Sequence, residues 1–187
     1  SVFIAGAAVQ WLRDGLGIIR HSSEVEALAR RVDDSGDVVF VPALVGLGAP
    51  HWRSDARGMI RGIGRDTTAA HLARATLEGI ALQVHEVVEA TRQDAGPIHA
   101  IRVDGGASAN DLLMQIQAEL AGQAVSRPDV IETTAAGAAF LAGLATGVFP
   151  TVEGITKRWR LSKKFEPRDP ALGEHLLTKW RDALGHL

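Results

Sequence analysis

The residues of this sequence that are best suited to contact a small flat ligand lie at a pair of glycines. Gly105 and Gly106 follow an alternating apolar run at residues 101–103, and apolar side chains recur at helical spacing after them. Glycine permits backbone angles that other residues avoid, and it lacks the Cβ atom that would keep a flat ligand from the main chain. Asn110, four residues after Gly106, offers an amide to the same ligand. The pattern predicts a strand, a tight loop and the first turn of a helix that suit a nucleotide.

The beginning of the chain repeats this arrangement. Residues 2–5 form an apolar run that predicts a short strand, Gly6 ends it, and a helical pattern follows. Gln10 lies four residues after Gly6, the same spacing as from Gly106 to Asn110. The spacing therefore predicts a second strand-glycine-helix junction with an amide side chain.

Both junctions have an alternative interpretation without a ligand. The sequence Asp-Gly-Gly is also ordinary turn chemistry, so a purely structural loop at residues 104–106 stays open. On its spacing alone, Gln10 is more often a solvent-facing helix residue than a ligand contact. Asp104, at the end of a strand, is expected to fix the loop and not to take a proton.

Composition indicates an ordinary globular protein of 187 residues. A formal net charge of −2 gives no general attraction to nucleic acid or to a membrane surface. The chain has no cysteine, which excludes disulfides and thiolate chemistry and fits a cytoplasmic protein. The longest apolar run, residues 135–148, is shorter than the roughly 20 residues that a membrane span needs.

The elements that must position the two junctions can be predicted from periodicity and caps. A core helix should run from Thr67 or Thr68 to about Asp94, and a terminal helix should start at Pro170. Ser23 and Glu26 have the spacing of a capping box for a short helix through residue 31. The remaining expectations are a buried strand at 38–41, a loop at 42–65, a strand at 124–127, a closely packed small-residue helix at 135–144 capped by Thr133 or Thr134, and a solvated strand or arm at 156–165.

No residue pattern indicates a catalytic group or a metal site. The histidines lack the spacing of metal ligands, and the phosphate-binding pattern Gly-x-x-x-x-Gly-Lys-Ser/Thr does not occur. His51 and Trp52 lie together in the glycine-rich loop, where packing is a more frequent role for such a pair than ligand binding.

Four segments together resemble the glycerol kinases of the FGGY carbohydrate kinase family. They are FIAGAAVQWLRD at 3–14, the loop ending in GLGAPHW at 46–52, ARATLEGIA at 73–81 and RVDGGA at 102–107. The resemblance covers residues 1 to about 150 in order and is weaker beyond Thr156.

The resemblance implies an α/β fold, namely an incomplete ribonuclease H-like domain of the actin-like ATPases with a mixed sheet flanked by helices. Residues 1–150 would be the nucleotide-binding C-terminal domain without its N-terminal strands, and residues 151–187 a variable arm and terminal helix of the same domain. It also implies ATP-dependent phosphorylation of glycerol with Mg²⁺. The nucleotide contacts would fall on Gly6, Gln10, Gly106 and Asn110, with Gly105 and Ala107 in the same loop.

In this family the catalytic base, the metal-holding carboxylates and the acceptor pocket lie upstream of the matching region. We therefore expect this chain alone to bind adenine nucleotide weakly and to catalyse nothing. Two alternatives stay open: another FGGY kinase acting on a pentulose or related polyol, and a non-catalytic nucleotide-binding or oligomerisation module. In this family, further strands pair with the segments that match residues 2–5 and 38–41, so the resemblance implies unpaired edges at both segments and predicts a homo-oligomer.

Overall fold

The computed structural model describes residues 2–187 as seven α-helices and five short strands. The helices are α1 (Gly6–Asp14), α2 (Glu24–Ala29), α3 (Ala69–Ala95), α4 (Asp111–Ala121), α5 (Thr133–Ala145), α6 (Val152–Thr156) and α7 (Pro170–Leu184). The strands are β1 (Val39–Val41), β2 (Met59–Arg61), β3 (Ile101–Arg102), β4 (Val125–Pro128) and β5 (Leu161–Phe165). A 3-10 turn, Gly106–Ala109, connects the β3 loop to α4.

The strands form two small sheets. In the first, β1 and β2 pair antiparallel, with Phe40 opposite Ile60. In the second, β4 lies between β3 and β5, parallel to β3 and antiparallel to β5, so that Val125 faces both Ile101 and Phe165. The mixed sheet agrees with the predicted α/β class.

The strands differ from expectation at two places. Residues 2–5 are not a strand, because a strand needs a hydrogen-bonded neighbour and none of the described residues pairs with them. The loop-rich segment expected at 42–65 also contains a strand that the sequence does not predict, β2. Three residues give too short a pattern for strand prediction, and only the pairing with β1 defines β2.

Helix α3 forms the centre of the core. Leu77 and Ile80 are buried on it, and burial of side chains of this size contributes about 2 kcal/mol each. At Gly79 the helix meets β1 so closely that an added Cβ would lie 2.3 Å from the carbonyl oxygen of Phe40. Thr68 begins the helix as predicted, and its N–H donates to Nδ1 of His71.

Helix α7 packs against α3, α4 and β1. Trp180 is almost completely buried on it, and Gly173 packs against the main chain of α4 at Glu119. The Glu119 carboxylate accepts the backbone N–H groups of Arg168 and Asp169 at 2.7 and 2.8 Å. These bonds fix the segment that leads into α7.

Helix α5 differs from expectation. Only Gly143 is buried on it, and Leu141 is 70% exposed. The close packing predicted from its small residues is therefore not found among residues 2–187. Neither Thr133 nor Thr134 caps it, since Glu132 is the N-cap residue and makes no side-chain cap bond. Within the described part of the chain, no helix combines the length and the apolar character required to cross a membrane.

A partly buried histidine makes the stability of the fold depend on pH. Nδ1 of His85 is buried and has no hydrogen-bond partner among the described residues. Burial lowers the pKa of His85 below its ordinary value of about 6.5, and the charges of Arg92 and Arg181 act in the same direction against those of Glu86 and Glu89. The unfolded chain then binds the proton more tightly than the folded one. The stability from neutral His85 is therefore complete above about pH 6.5 and is lost as the pH falls through the folded pKa.

We expect His85→Gln to reduce the loss of unfolding free energy between about pH 7.5 and pH 5, because the variant removes the titrating group. Chemical denaturation at several pH values measures this slope. Val88→Ala is the matched control, since Val88 lines the same small gap and carries no titrating group. It should lower stability equally at all pH values. An unchanged slope in His85→Gln would contradict the assignment.

Candidate functional site

A cavity with a volume of about 420 Å³ lies between α1, α2, α3 and the 3-10 turn with α4. Small-molecule sites in proteins have volumes of roughly 300–1,000 Å³, so this cavity has an ordinary size for one. Its lining residues are Gly6, Val9 and Gln10; Ser22, Ser23, Val25 and Glu26; Leu77 and Ile80; and Gly106, Ala107, Ala109, Asn110 and Leu113.

The two glycine junctions identified from the sequence meet at this cavity. Gly6 is the first residue of α1, and Gly106 is the first residue of the 3-10 turn. A Cβ added at either glycine would meet no atom within 4 Å, and neither residue has a positive φ. The protein's own packing therefore does not require glycine at these two positions. What the two glycines leave is open space beside the main chain, which a ligand can occupy.

Gly105 has a different role from its neighbour. Its φ is +76°, a conformation that side chains disfavour, and it does not line the cavity. Its N–H donates to the carbonyl oxygen of Ile131 at 2.7 Å. Gly105 thus shapes the turn, whereas Gly106 and Ala107 face the cavity.

The turn is braced from behind by several hydrogen bonds. The Thr133 hydroxyl donates to the Asp104 carboxylate, so Asp104 fixes the loop as expected. The Ser108 hydroxyl donates to the carbonyl oxygen of Gly105 at 2.7 Å. Nη1 of Arg127 donates to the Ser108 carbonyl and to the Asp111 carboxylate, each at 2.8 Å. Because these bonds come from β4, from the first residue of α5 and from within the turn, the open face of the turn is held in one shape.

The charge at the start of α4 is fixed by two basic residues. A hydrogen bond from Lys163 holds the pKa of Asp111 below its ordinary range. Burial of the carboxyl opposes this shift, and the hydrogen bond and charge of Arg127 lower the pKa further. Asp111 does not line the cavity. Its carboxylate instead takes part in the hydrogen bonds that hold the turn in place.

The side-chain amides of Asn110 and Gln10 differ in the hydrogen-bonding groups that they can offer to a ligand. Asn110 is the N-cap residue of α4, not part of its first turn as predicted, and its Oδ1 accepts the Leu113 N–H at 2.8 Å. This leaves the Asn110 NH₂ group as a donor toward the cavity. Gln10 is exposed on α1 and lines the cavity. Both residues line one cavity, and the spacing gave no indication of the capping role of Asn110.

The lining of the cavity is mostly apolar and carries no positive charge. Five of the lining residues have large apolar side chains: Val9, Val25, Leu77, Ile80 and Leu113. Among the lining residues, Glu26 has the ionisable side chain. Such a lining suits an uncharged, flat group that offers a few hydrogen-bonding atoms. It does not suit a phosphate chain without other cations.

Sequence reasoning missed the wall formed by Ser22, Ser23 and Glu26. Ser23 and Glu26 have capping-box spacing, but Ser23 makes no side-chain cap bond. Glu26 instead accepts hydrogen bonds from Arg30 of its own helix and from the backbone at the start of α4. The local pattern contained no signal for that distant partner.

Other residues considered from the sequence lie outside the cavity. Nε2 of His51 lies 2.9 Å from Oε1 of Glu86, so this histidine has a partner within the protein. Trp52 is 67% exposed, and its ring meets that of Phe3 edge-on. Within residues 2–187, no group of three or more histidine, aspartate and glutamate side chains could hold a metal ion.

Comparison with known proteins gives consistent matches over the whole chain. Residues 1–146 match the model of the C-terminal domain of the FGGY family of carbohydrate kinases. A glycerol kinase of Myxococcus xanthus is 56% identical over 186 residues, which is 98% of this chain and 38% of the relative. A glycerol kinase of Rhodopirellula baltica is 61% identical over 172 residues, 91% of this chain and 32% of the relative.

A solved structure has the same fold. The crystal structure of Plasmodium falciparum glycerol kinase with ADP superimposes with a TM-score of 0.86 at 33% identity, covering 100% of this chain and 37% of that protein. The chain thus spans 38% or less of the length of these relatives.

The two glycines of the turn should respond differently to alanine. Gly105→Ala should lower the unfolding free energy by roughly 1–2 kcal/mol, because a Cβ strains the positive φ. Gly106→Ala should change it by less than about 0.5 kcal/mol, because its Cβ would enter open space. Chemical denaturation of both variants measures the difference. Equal losses would mean that the turn is not built as described.

Proposed function

This chain belongs to the FGGY family of carbohydrate kinases, and on that basis we propose that it is the nucleotide-binding part of an ATP-dependent glycerol kinase. The resemblance inferred from its motifs is confirmed by the family match. The predicted fold class is confirmed as well, since its structural neighbours have the actin-like ATPase fold. The division into residues 1–150 and a C-terminal arm stays a prediction.

The observation that carries the proposal is the pair of open glycines on one cavity. Gly6 and Gly106 both line it, and both leave free the space that a Cβ would fill. An adenine or ribose ring can therefore approach the main chain at two places. We propose that Gly6, Gln10, Gly106, Ala107 and Asn110 contact the nucleotide, and that Gly105 shapes the turn that presents them.

The absence of cations in the lining indicates which end of the nucleotide the cavity suits. Phosphoryl transfer depends on positioning and on charge neutralisation by cationic groups and metal ions. The lining residues provide none, and within residues 2–187 no carboxylate cluster fits Mg²⁺. The uncharged nucleoside is thus the part that this cavity accommodates. We propose that the groups acting on the phosphates and on the acceptor belong to parts of the kinase outside these residues.

Glycerol is the acceptor that the comparisons support best. The relatives at 56% and 61% identity are glycerol kinases. The loop Gly-Leu-Gly-Ala-Pro-His-Trp at 46–52 also favours this branch of the family. A kinase for a pentulose or a related polyol is the alternative, and a polyol panel assayed with the full-length kinase distinguishes them. We further propose that the protein is cytoplasmic, which its lack of cysteine supports.

A β-branched residue at Gly106 should remove nucleotide binding, because its side chain would occupy the space of the ligand. We expect Gly106→Val to weaken ADP binding by more than about tenfold, equivalent to about 1.4 kcal/mol. Isothermal titration calorimetry with ADP measures this, and circular dichroism checks that the variant is folded.

Gly137→Val is the matched control for this variant. Gly137 also has no atom within 4 Å of an added Cβ, but it lies on α5 and does not line the cavity. The control should bind ADP like the unmodified chain. If Gly106→Val did the same, this junction would not be the nucleotide platform.

We also propose that the chain self-associates. The sheet order gives β1 one neighbouring strand, β2, among the described residues. Its second edge therefore has no strand partner there, and such edges recruit another chain. Exposed apolar side chains on and near α5, Leu141 and Val148 among them, add to this tendency.

The expected result is a mass that increases with concentration in static light scattering. A single monomeric mass over the whole concentration series would contradict self-association. A monomeric mass would not contradict the proposed nucleotide site, because β1 does not line the cavity.

A further inference from the structure

Glu26 makes an unusual connection between two walls of the cavity. It lies on α2, but its carboxylate points to the beginning of α4. Oε2 accepts the N–H of Asp111 at 2.9 Å, and Oε1 accepts the N–H of Leu112 at 3.2 Å. These are the first two residues of α4. A single side chain therefore joins the α2 wall to the α4 wall.

The N-terminus of α4 is fully occupied by side chains of the protein. The first N–H groups of a helix have no partner within the helix, and they favour anions. Glu26 takes the first two, and Asn110 takes the third, that of Leu113. A phosphate group, which commonly binds at such a terminus, finds no free N–H among these three.

The carboxylate is also held in place on its own helix. Nε and Nη2 of Arg30 donate to Oε1 of Glu26 at 2.9 and 2.8 Å. The Glu26 side chain is 25% exposed, whereas that of Arg30 is 52% exposed. Glu26 thus lies at the border between the cavity and solvent, with both oxygens bonded.

We propose that Glu26 is a positioning residue for nucleotide binding. By bonding the first two N–H groups of α4, it fixes the separation between the α2 wall and the wall that carries Gly106 and Asn110. It also excludes anions from the α4 terminus, so a bound nucleotide cannot place its phosphates there. The inference rests on the proposed nucleotide-binding function.

Glu26→Ala tests both consequences. Calorimetry with ADP should show affinity reduced on the order of tenfold, because the separation between the two walls is no longer fixed and binding has to order it. Inorganic phosphate, which should not affect ADP binding to the unmodified chain, should compete with ADP in the variant because the α4 terminus is now free. Acetate should restore part of the ADP affinity by replacing the missing carboxylate.

The matched control is Glu24→Ala. Glu24 lies on the same short helix and carries the same charge, but its carboxylate accepts the backbone N–H of Arg20 and does not contact α4. It does not line the cavity. The control should bind ADP like the unmodified chain and stay insensitive to phosphate and acetate.

The outcomes separate this inference from the proposed function. If the unmodified chain does not bind ADP, the proposed function fails and the role of Glu26 fails with it. If the unmodified chain binds ADP and Glu26→Ala binds it equally well, the positioning role is overturned while the nucleotide function stands. A loss that acetate does not restore and that brings no phosphate competition would indicate general structural damage, and it would also overturn the role.

Glu26→Gln serves if circular dichroism shows that Glu26→Ala does not fold. It keeps the volume and one acceptor oxygen, but its NH₂ group would face a backbone N–H of α4, where a second acceptor is needed. Reduced ADP affinity in this folded variant supports the proposal. Unchanged affinity overturns it.

Discussion

The close approach of α3 to β1 at Gly79 is the constraint on which the rest of this structure depends. The space between the helix and the carbonyl oxygen of Phe40 cannot hold even a Cβ. This contact fixes the height of α3 above the small β1–β2 sheet, and with it the buried face that carries Leu77 and Ile80. Those two residues form part of the apolar lining of the cavity. The other helices around the cavity therefore pack against a part of α3 that cannot move without disrupting the core.

Polar bonds hold two walls of the cavity in place. The Gly105–Gly106 turn is held from behind by Arg127, Ser108 and Thr133, while its front faces open space. A rigid turn with an open face is preorganised, so binding does not have to order it. The tie from Glu26 to α4 has the same effect on the opposite wall. Both walls thus keep their shape without a ligand, which favours recognition of a flat, rigid group.

The proposed role of the cavity as a site for the nucleoside end of a nucleotide agrees with the short span of the chain relative to the kinases it matches. Its lining has no cation, whereas phosphoryl transfer requires charge neutralisation. Relatives of which this chain covers only 38% or less have room for those groups elsewhere. The proposal that the nucleoside binds in this cavity, and that phosphate and acceptor groups belong to the remaining part of the kinase, accounts for both facts.

The sequence by itself determined the features that depend on near neighbours. The long helix α3, the terminal helix α7 and the strand-turn-helix at Gly105 and Gly106 all follow from periodicity, caps and glycine, which act over a few residues. Local motifs were also sufficient to predict the family. The equal spacing of Gly6 to Gln10 and of Gly106 to Asn110 indicated two similar junctions, although not that they share a cavity.

Only the tertiary structure decided the features that depend on residues distant in sequence. Residues 2–5 have strand composition but no strand, and residues 59–61 form a strand inside a predicted loop, because pairing with another segment defines a strand. Glu26 has the spacing of a local cap, yet it bonds to α4, since a side chain takes whichever unsatisfied N–H groups the fold brings near it. Spacing along the chain contains no information about such partners, and for that reason the α2 wall of the site could not be predicted.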